Sequence, residues 1–345
     1  MKEPLIKAFA LIIATVLFLL FSCKGIESGE GDEPAAAATS AEGLAELKAA
    51  TWNVQTFFDA VNDGTEYTDF QKSKTWGTAA YTERLVRLCA SIRSIDADVI
   101  ALEEIEKQEI LYDISNFLAG EWNPRKNYTY ASFSREDGAS IGIGVLSRFP
   151  LGQITVHSLD VRSEPEKMPS MRPIMEVPVY AGGRELVLFL NHWKSKSGGE
   201  EETEKWRNME EGVLSACVER SLGQNKNLLI MGDFNRDIRD FAVQEDNTVL
   251  LRKFSEGMIL PQGIKVSCPW FKEDGKLVRP GSYYYQDSWS RIDNIFYGGN
   301  TKVVNFMPET RGPWCDSSTQ IPERYSIWSG TGYSDHLPLS CTVCF

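Results

Sequence analysis

Two hydrophobic periods alternate along this chain. Tyr81–Ile95 sets Leu85, Leu88, Cys89 and Ile92 at helical spacing, and Lys107–Leu118 and the long polar stretch Glu202–Leu222 predict two further helices. Short apolar or alternating runs predict strands over Ala49–Thr56, Asp98–Leu102, Tyr128–Phe133, Ile141–Ser147, Gln153–Leu159 and Pro173–Tyr180. Four more follow at Arg184–Asn191, Asn227–Gly232, Ile292–Tyr297 and Pro338–Val343. Many strands with few long helices predict an α/β domain of two packed sheets with helices outside, not a doubly wound parallel sheet. The chain shows no internal repeat.

The amino terminus follows a different pattern. Lys2 and Lys7 precede an apolar run from Ala8 to Phe21, too short to span a bilayer and suited to a signal-peptide core. It ends in Leu20-Phe21-Ser22-Cys23, which resembles the lipobox of bacterial lipoproteins, with Cys23 as the lipidated residue. An ordinary cleaved signal or a short anchor is the alternative, and all three imply export. Residues 24–43 are rich in Gly, Ala, Ser and acid, with little to bury, and predict an acidic flexible tether. Residues 44–345 then form the folded domain, held to a bacterial membrane by the lipid and facing periplasm or cell surface.

The 345 residues carry 48 acids against 36 bases, a formal charge of −12. That argues against a passive DNA-coating protein, which needs a basic footprint, but not against an enzyme that meets phosphate through a metal and a few local cations. Histidine occurs only at His157, His192 and His336. His157 falls in a strand run away from any motif and reads as structural. Export permits disulfides. Cys89 and Cys217 lie in helical patterns and read as buried thiols, whereas Cys268, Cys315, Cys341 and Cys344 cluster late and are bridge candidates.

Polar residues gather where strands end. Asn53, Glu103-Glu104, Asn191-His192, Asp233 with Asn235, Asp293, and Asp335-His336 each adjoin an apolar run. A side chain at the end of a buried strand is held rigidly where a ligand can reach it. Singly these are weak signals: Gly-Asp-Phe-Asn also fits an Asx turn, and Glu103-Glu104 fits a solvated strand end. Together they supply carboxylates, amides and imidazoles that suit a hard cation such as Mg²⁺ and the hydrolysis of a phosphate ester.

In order along the chain, TWNV, DVIALEEIE, GIGVLSRFP, LNHWKSK, LIMGDFN, RIDNIF and SDHLPL resemble the hallmarks of the endonuclease/exonuclease/phosphatase superfamily, also called DNase I-like. The resemblance spans about Ala49 to Thr342 and implies a four-layer αββα sandwich of two mainly antiparallel sheets flanked by helices. It implies Glu104 as principal metal ligand with Asn53 and Asp335 beside it, and His336 as the general base oriented by Asp293. Asp233 and Asn235 would position the scissile phosphate and the nucleophile, and His192 would donate to a phosphoryl oxygen or the leaving group. Mg²⁺ is the implied ion, with Mn²⁺ as alternative and Ca²⁺ as an assisting ion.

Two departures narrow the branch. Abasic-site endonucleases usually carry Asp two residues after the first Asn, where this chain has Gln55, and usually lack the imidazole that His192 supplies. NHWKSK and GSYYYQDSW look most like secreted bacterial nucleases. Arg148, Lys194 and Lys196 are candidate phosphate contacts, and Tyr283–Tyr285 or Trp289 are candidate base-stacking residues, against core packing as the plainer role. The expected activity is hydrolysis of DNA or RNA by a monomer. A sphingomyelinase-like lipid phosphodiesterase or a phosphomonoesterase on the same fold is the alternative, and a partner-binding lipoprotein without catalysis is the remaining one.

Overall fold

The computed structural model describes residues 38–39, 43–121, 123–159 and 169–345. The stretch read as a signal, with Cys23, and nearly all of that read as a tether lie outside the described residues. Ala38–Thr39, within the stretch read as tether, forms a short strand β1. The other strands in chain order begin with β2 (Ala45–Phe57), β3 (Val99–Ile105), β4 (Tyr130–Ser134), β5 (Gly142–Ser147) and β6 (Thr155–His157). Next come β7 (Ile174–Ala181), β8 (Arg184–His192), β9 (Asn227–Asp233), β10 (Ala242–Val243), β11 (Val249–Ser255) and β12 (Met258–Val266). The last are β13 (Tyr283–Tyr285), β14 (Ser288–Ser290), β15 (Asp293–Gly298), β16 (Lys302–Pro308) and β17 (Leu339–Cys344). The α-helices are α1 (Thr68–Lys72), α2 (Thr78–Ile95), α3 (Gln108–Glu121) and α4 (Glu200–Gly223). Among the described residues no helix is long and apolar enough to cross a membrane.

Two large sheets face each other. One runs β16-β17-β2-β3-β5-β4, with β1 paired to β2, and the other β15-β9-β8-β7-β6. All pairings within them are antiparallel except β2 with β3 and β8 with β9. Those parallel pairs need long crossovers, and α2 and α4 supply them.

Strand alternation sorts the core. Leu47, Ala49, Val99, Ala101, Ile143 and Val145 point between the sheets and pack against Val177, Leu188, Leu190 and Met231 of the facing sheet. The intervening Ala50, Trp52, Ile100, Leu102 and Leu146 point outward and pack under Leu85, Leu88 and Ile92 of α2 and Ile110, Leu111 and Ile114 of α3. On the other side Leu214, Cys217 and Val218 of α4 cover the second sheet. The result is the mixed α/β architecture of two packed sheets with helices outside.

The cysteine expectation needs correction. Cys89, Cys217, Cys268, Cys315, Cys341 and Cys344 are all buried, and among the described residues no disulfide joins any two of them. The late four are apart because their elements aim them differently: Cys341 faces the inter-sheet core, while the Cys315 thiol donates to the Thr310 carbonyl and that of Cys344 to Glu46.

Candidate active site

Topology alone gathers the polar strand ends. Because β2 and β3 are parallel, with Asn53 opposite Glu103, their carboxyl ends share one edge. In the facing sheet His192 of β8 lies opposite Asp233 of β9, and Asp233 lies opposite Asp293, the first residue of antiparallel β15. β17 runs antiparallel to β2 with Leu339 opposite Thr51, so the preceding His336 returns to the same edge as Asn53. One ligand atom from each of Asp233, Asp293 and His336 lies within 4.8 Å of the others.

The backbone departs from regular strand at this edge. The β2–β3 register shifts after Asn53, and that of β3 with β5 shifts between Glu103 and Ile105. Gln55, Thr56 and Glu104 have φ of 52°, 48° and 66°, and Asn235 has 47°. Non-glycine residues held there cost on the order of 1–3 kcal/mol each and persist only where their surroundings fix them. Arg84 of α2 provides part of that fixing, since its buried guanidinium donates to the carbonyls of Val54, Gln55 and Thr56. The Gln55 side chain makes two hydrogen bonds with the Tyr325 backbone, so it braces a loop and stays out of the site.

The turned Glu104 aims its carboxylate at the cleft. Oε2 accepts from the Thr56 amide at 2.5 Å and Oε1 from Asn53 Nδ2 at 3.1 Å. The same Nδ2 donates to Asp233 Oδ2 at 3.0 Å, and His192 Nε2 lies 3.8 Å from both Glu104 Oε1 and Asp233 Oδ2. Glu103, one residue earlier, faces the inter-sheet interior beneath the site, on the same side as Thr51 and Asn53. It is fully buried, with Oε1 accepting from Thr51 Oγ1 at 2.6 Å and Oε2 without a partner. Burial, with Asp293 and Asp233 nearby, raises its pKa well above the usual carboxylate value. The expected solvated strand end is therefore half a buried acid and half a site carboxylate.

His336 and Asp293 form a buried pair. Nδ1 of the histidine lies 2.9 Å from Asp293 Oδ2 and 3.2 Å from Oδ1. The Trp52 indole donates to the His336 carbonyl, the His336 amide to Ser334 Oγ, and Ser334 Oγ to the Asn53 carbonyl, which locks this loop onto β2. Burial works against its positive charge, but Asp293, then Asp233 and Asp335, hold the His336 pKa well above the ordinary value. His192 is the reverse case: burial, then the charges of Arg172 and His336, depress it well below that value, so it is a neutral imidazole. Burial and Asp293 push Asp233 up to about 7. Asp335, on the far side of His336, lies 4.0 Å from its Nε2 and 3.9 Å from Arg324.

Asn235 is fixed at the same edge, donating from Nδ2 to Asp233 and to the Trp193 carbonyl. The carboxylates of Glu104, Asp233, Asp293 and Asp335 thus converge with one favoured imidazolium. This surplus of anionic oxygen fits a hard divalent cation.

The candidate phosphate contacts divide. Arg148 belongs elsewhere: it follows β5 beside Asp98, at the opposite end of β3 from Glu104, about 20 Å along the strand. There it is buried and donates to Asp98, Asp96 and the Lys126 carbonyl, a brace between loops. Lys196 is ion-paired with Glu200, the first residue of α4, and Lys194 directs Nζ to Ser195 and Ser197. Arg172 was missed, because Met-Arg-Pro before β7 carries no motif. Its charge nevertheless reaches His192, Tyr67 and Lys194, and it donates to the Trp193 carbonyl. Of the aromatics, Tyr283 lies 4.8 Å from the His336 ring and exposed Tyr285 stacks on it in turn, while Tyr284 and Trp289 pack against each other. His157 is structural, paired with Glu176 at 2.8 Å.

A model of the Endonuclease/Exonuclease/phosphatase family matches residues 48–305. No curated protein matches. Among solved structures, truncated Caenorhabditis elegans TDP2 is similar at 16% identity and a TM-score of 0.53, over 87% of this chain and 98% of that one. The human Nocturnin catalytic domain with bound sulfate matches at 14% identity and 0.52, over 86% and 94%. An endonuclease/exonuclease/phosphatase family protein from Bacteroides thetaiotaomicron matches at 17% and 0.52, over 88% and 98%. At such identities these likenesses speak to the fold, whereas the family match covers most of the sequence: the chain belongs to the Endonuclease/Exonuclease/phosphatase family, whose members are hydrolases acting on phosphodiester bonds.

Proposed function

We propose that this chain is an exported metal-dependent nuclease that cleaves DNA, with RNA as the alternative nucleic acid, by in-line attack of water on the phosphodiester. The observation that carries the reading is the buried His336–Asp293 pair at the edge where Asn53, Glu104, Asp233 and neutral His192 converge. Export and lipidation at Cys23 rest on the amino-terminal sequence, and the NHWKSK run supports nucleic acid over lipid.

Glu104, Asn53 and Asp335 are the residues that would hold Mg²⁺ or Mn²⁺, and such an ion supplies charge neutralisation at the phosphate. The base is the deprotonated form of His336, whose fraction rises with pH: with Asp293 engaging Nδ1, its one remaining proton stays on that nitrogen and Nε2 is left to take the proton of the attacking water. Neutral His192 offers an N–H to a phosphoryl oxygen or to the leaving oxygen, where negative charge builds. Asp233 and Asn235, fixed to each other, position the nucleophile and the phosphate. Arg172 and Lys194 form the cationic rim that meets flanking phosphates, and the Tyr283–Tyr285 stack beside His336 offers aromatic faces to bases.

The test compares initial rates of the purified protein on supercoiled plasmid, single-stranded RNA and sphingomyelin vesicles, each with Mg²⁺ and with EDTA. Metal-dependent cleavage of plasmid, at least tenfold faster than lipid hydrolysis, supports the reading. Lipid hydrolysis with intact plasmid overturns it.

A further inference from the structure

A second group of carboxylates lies outside the site just described. The segment after β2, Asp59-Ala60-Val61-Asn62-Asp63-Gly64-Thr65-Glu66, folds back against the end of β3 at Glu106-Lys107. One carboxylate oxygen from each of Asp63, Glu66 and Glu106 lies within 4.8 Å of the other two. Glu106 is wholly buried and Glu66 nearly so, at 4% exposure, while Asp63 reaches the surface. Carboxylates are seldom placed like this without a compensating cation.

Most acceptors here are used. Glu106 Oε2 takes the Asp59 amide at 2.6 Å, and Glu66 takes the amides of Asp63 and Gly64. Lys107 gives its hydrogen bond to Asp59 Oδ2 at 2.7 Å and stays 3.9 Å from Glu106 Oε1. Arg135 donates to the Glu106 carbonyl, not to its side chain. That leaves Glu106 Oε1 buried and without a hydrogen-bond partner. A buried carboxylate oxygen left so is costly, and beside two further carboxylates a bound cation is the occupant that would satisfy it.

From this geometry we propose that Asp63, Glu66 and Glu106 form a second divalent-cation site, of the type that takes Ca²⁺. The donors are all oxygens, and two oxygens across one Ca²⁺ stand up to about 4.6–5.2 Å apart, against about 4.0–4.2 Å for Mg²⁺. One donor sits on a surface loop, which suits the irregular coordination Ca²⁺ accepts. The ion joins the chain just beyond Gln55 and Thr56 to the chain just beyond Glu104, the strained positions that set Asn53 and Glu104. It therefore braces the edge that carries the first site without taking part in chemistry.

Trp76 makes the site observable, because its indole donates to the Asp59 carbonyl at 2.7 Å. The full chain, stripped with EDTA, is titrated with Tb³⁺ as a Ca²⁺ mimic and excited through tryptophan. Sensitised emission is expected, displaced by Ca²⁺ at concentrations at least tenfold below those needed of Mg²⁺. Asp63→Asn with Glu106→Gln together should lower the emission at least fivefold, while Glu104→Gln leaves most of it. Ca²⁺ should raise the thermal midpoint of the wild type by about 2 °C or more and leave the double variant unmoved. If the double variant does not fold, Asp63→Asn alone, at an exposed position, should weaken Ca²⁺ competition about tenfold. Emission unchanged in these variants, or lost in Glu104→Gln instead, overturns the proposal.

Discussion

Replacing Asp293 by asparagine keeps the shape of the buried pair and removes its charge. The carboxylate lies 2.9 and 3.2 Å from His336 Nδ1, and at 1% and 6% exposure neither partner is screened by water. A charge-assisted hydrogen bond is worth about 1.5–3 kcal/mol, and about 1.4 kcal/mol is a decade of rate, so the lost bond alone costs about 10–10². An amide that donates to Nδ1 also moves the imidazole proton to Nε2, the atom assigned as base, and the combined loss in kcat becomes about 10²–10⁴. KM should change less than threefold, because Asp293 touches no phosphate in this account. Stability should fall most below about pH 6.5, where the variant buries a charged His336 without its carboxylate partner. Asp293 is one reason Asp233 is pushed up to about 7, so its removal relieves a repulsion while it loses a bond. The assay is the initial rate of plasmid nicking at saturating Mg²⁺, with thermal melting in parallel. A kcat within threefold of wild type in a folded variant refutes the assigned role of the pair.

Glu104→Gln should lower kcat by about 10²–10³ and abolish the Mn²⁺-induced shift of the melting curve measured without added Ca²⁺; a retained shift means the ion binds elsewhere. In the metal-free protein, proton NMR of the imidazoles, assigned with His336→Ala and His192→Ala, should show His336 titrating above the ordinary value and His192 well below it. The reverse order contradicts the electrostatics. By linkage, the stabilisation from the raised His336 is complete below about pH 6.5 and is lost as pH climbs through its folded pKa, which denaturant melts across pH 6–9 will register. Arg148→Ala should destabilise by about 1–3 kcal/mol through its lost bonds to Asp96 and Asp98, yet leave kcat and KM within twofold. A rise in KM restores Arg148 as a substrate contact.

What could be read from the chain follows physical lines. Strands buried on both faces, such as Val99–Leu102 and Leu186–Leu190, announce themselves as apolar runs, and the polar residue that ends each run marks the edge of the sheet. Asn53, Glu104, His192, Asp233, Asp293 and His336 were legible for that reason. β11 and β12 were not, because their exposed alternation with Pro261 resembles a loop, and they become a sheet by packing on α4. Arg172 lacked a signal because a cation in a loop gains its role only from what the fold brings beside it. Arg148 misled for the same reason. It stands next to an apolar strand like the residues of the candidate site, but at the other end, and only the antiparallel pairing of β5 with β3 reveals that. The buried cysteines show the same limit, since clustering in sequence near β17 does not place thiols on the same side of a strand.

The central claim is metal-dependent hydrolysis of a phosphodiester with His336 as base. Its most direct test is plasmid nicking by wild type and His336→Ala side by side, with Mg²⁺ and with EDTA, after melting curves show both proteins folded. The account predicts nicking by the wild type with Mg²⁺ only, and a variant rate lower by about 10²–10⁴. Nicking by the variant at the wild-type rate, or nicking that persists in EDTA, contradicts it.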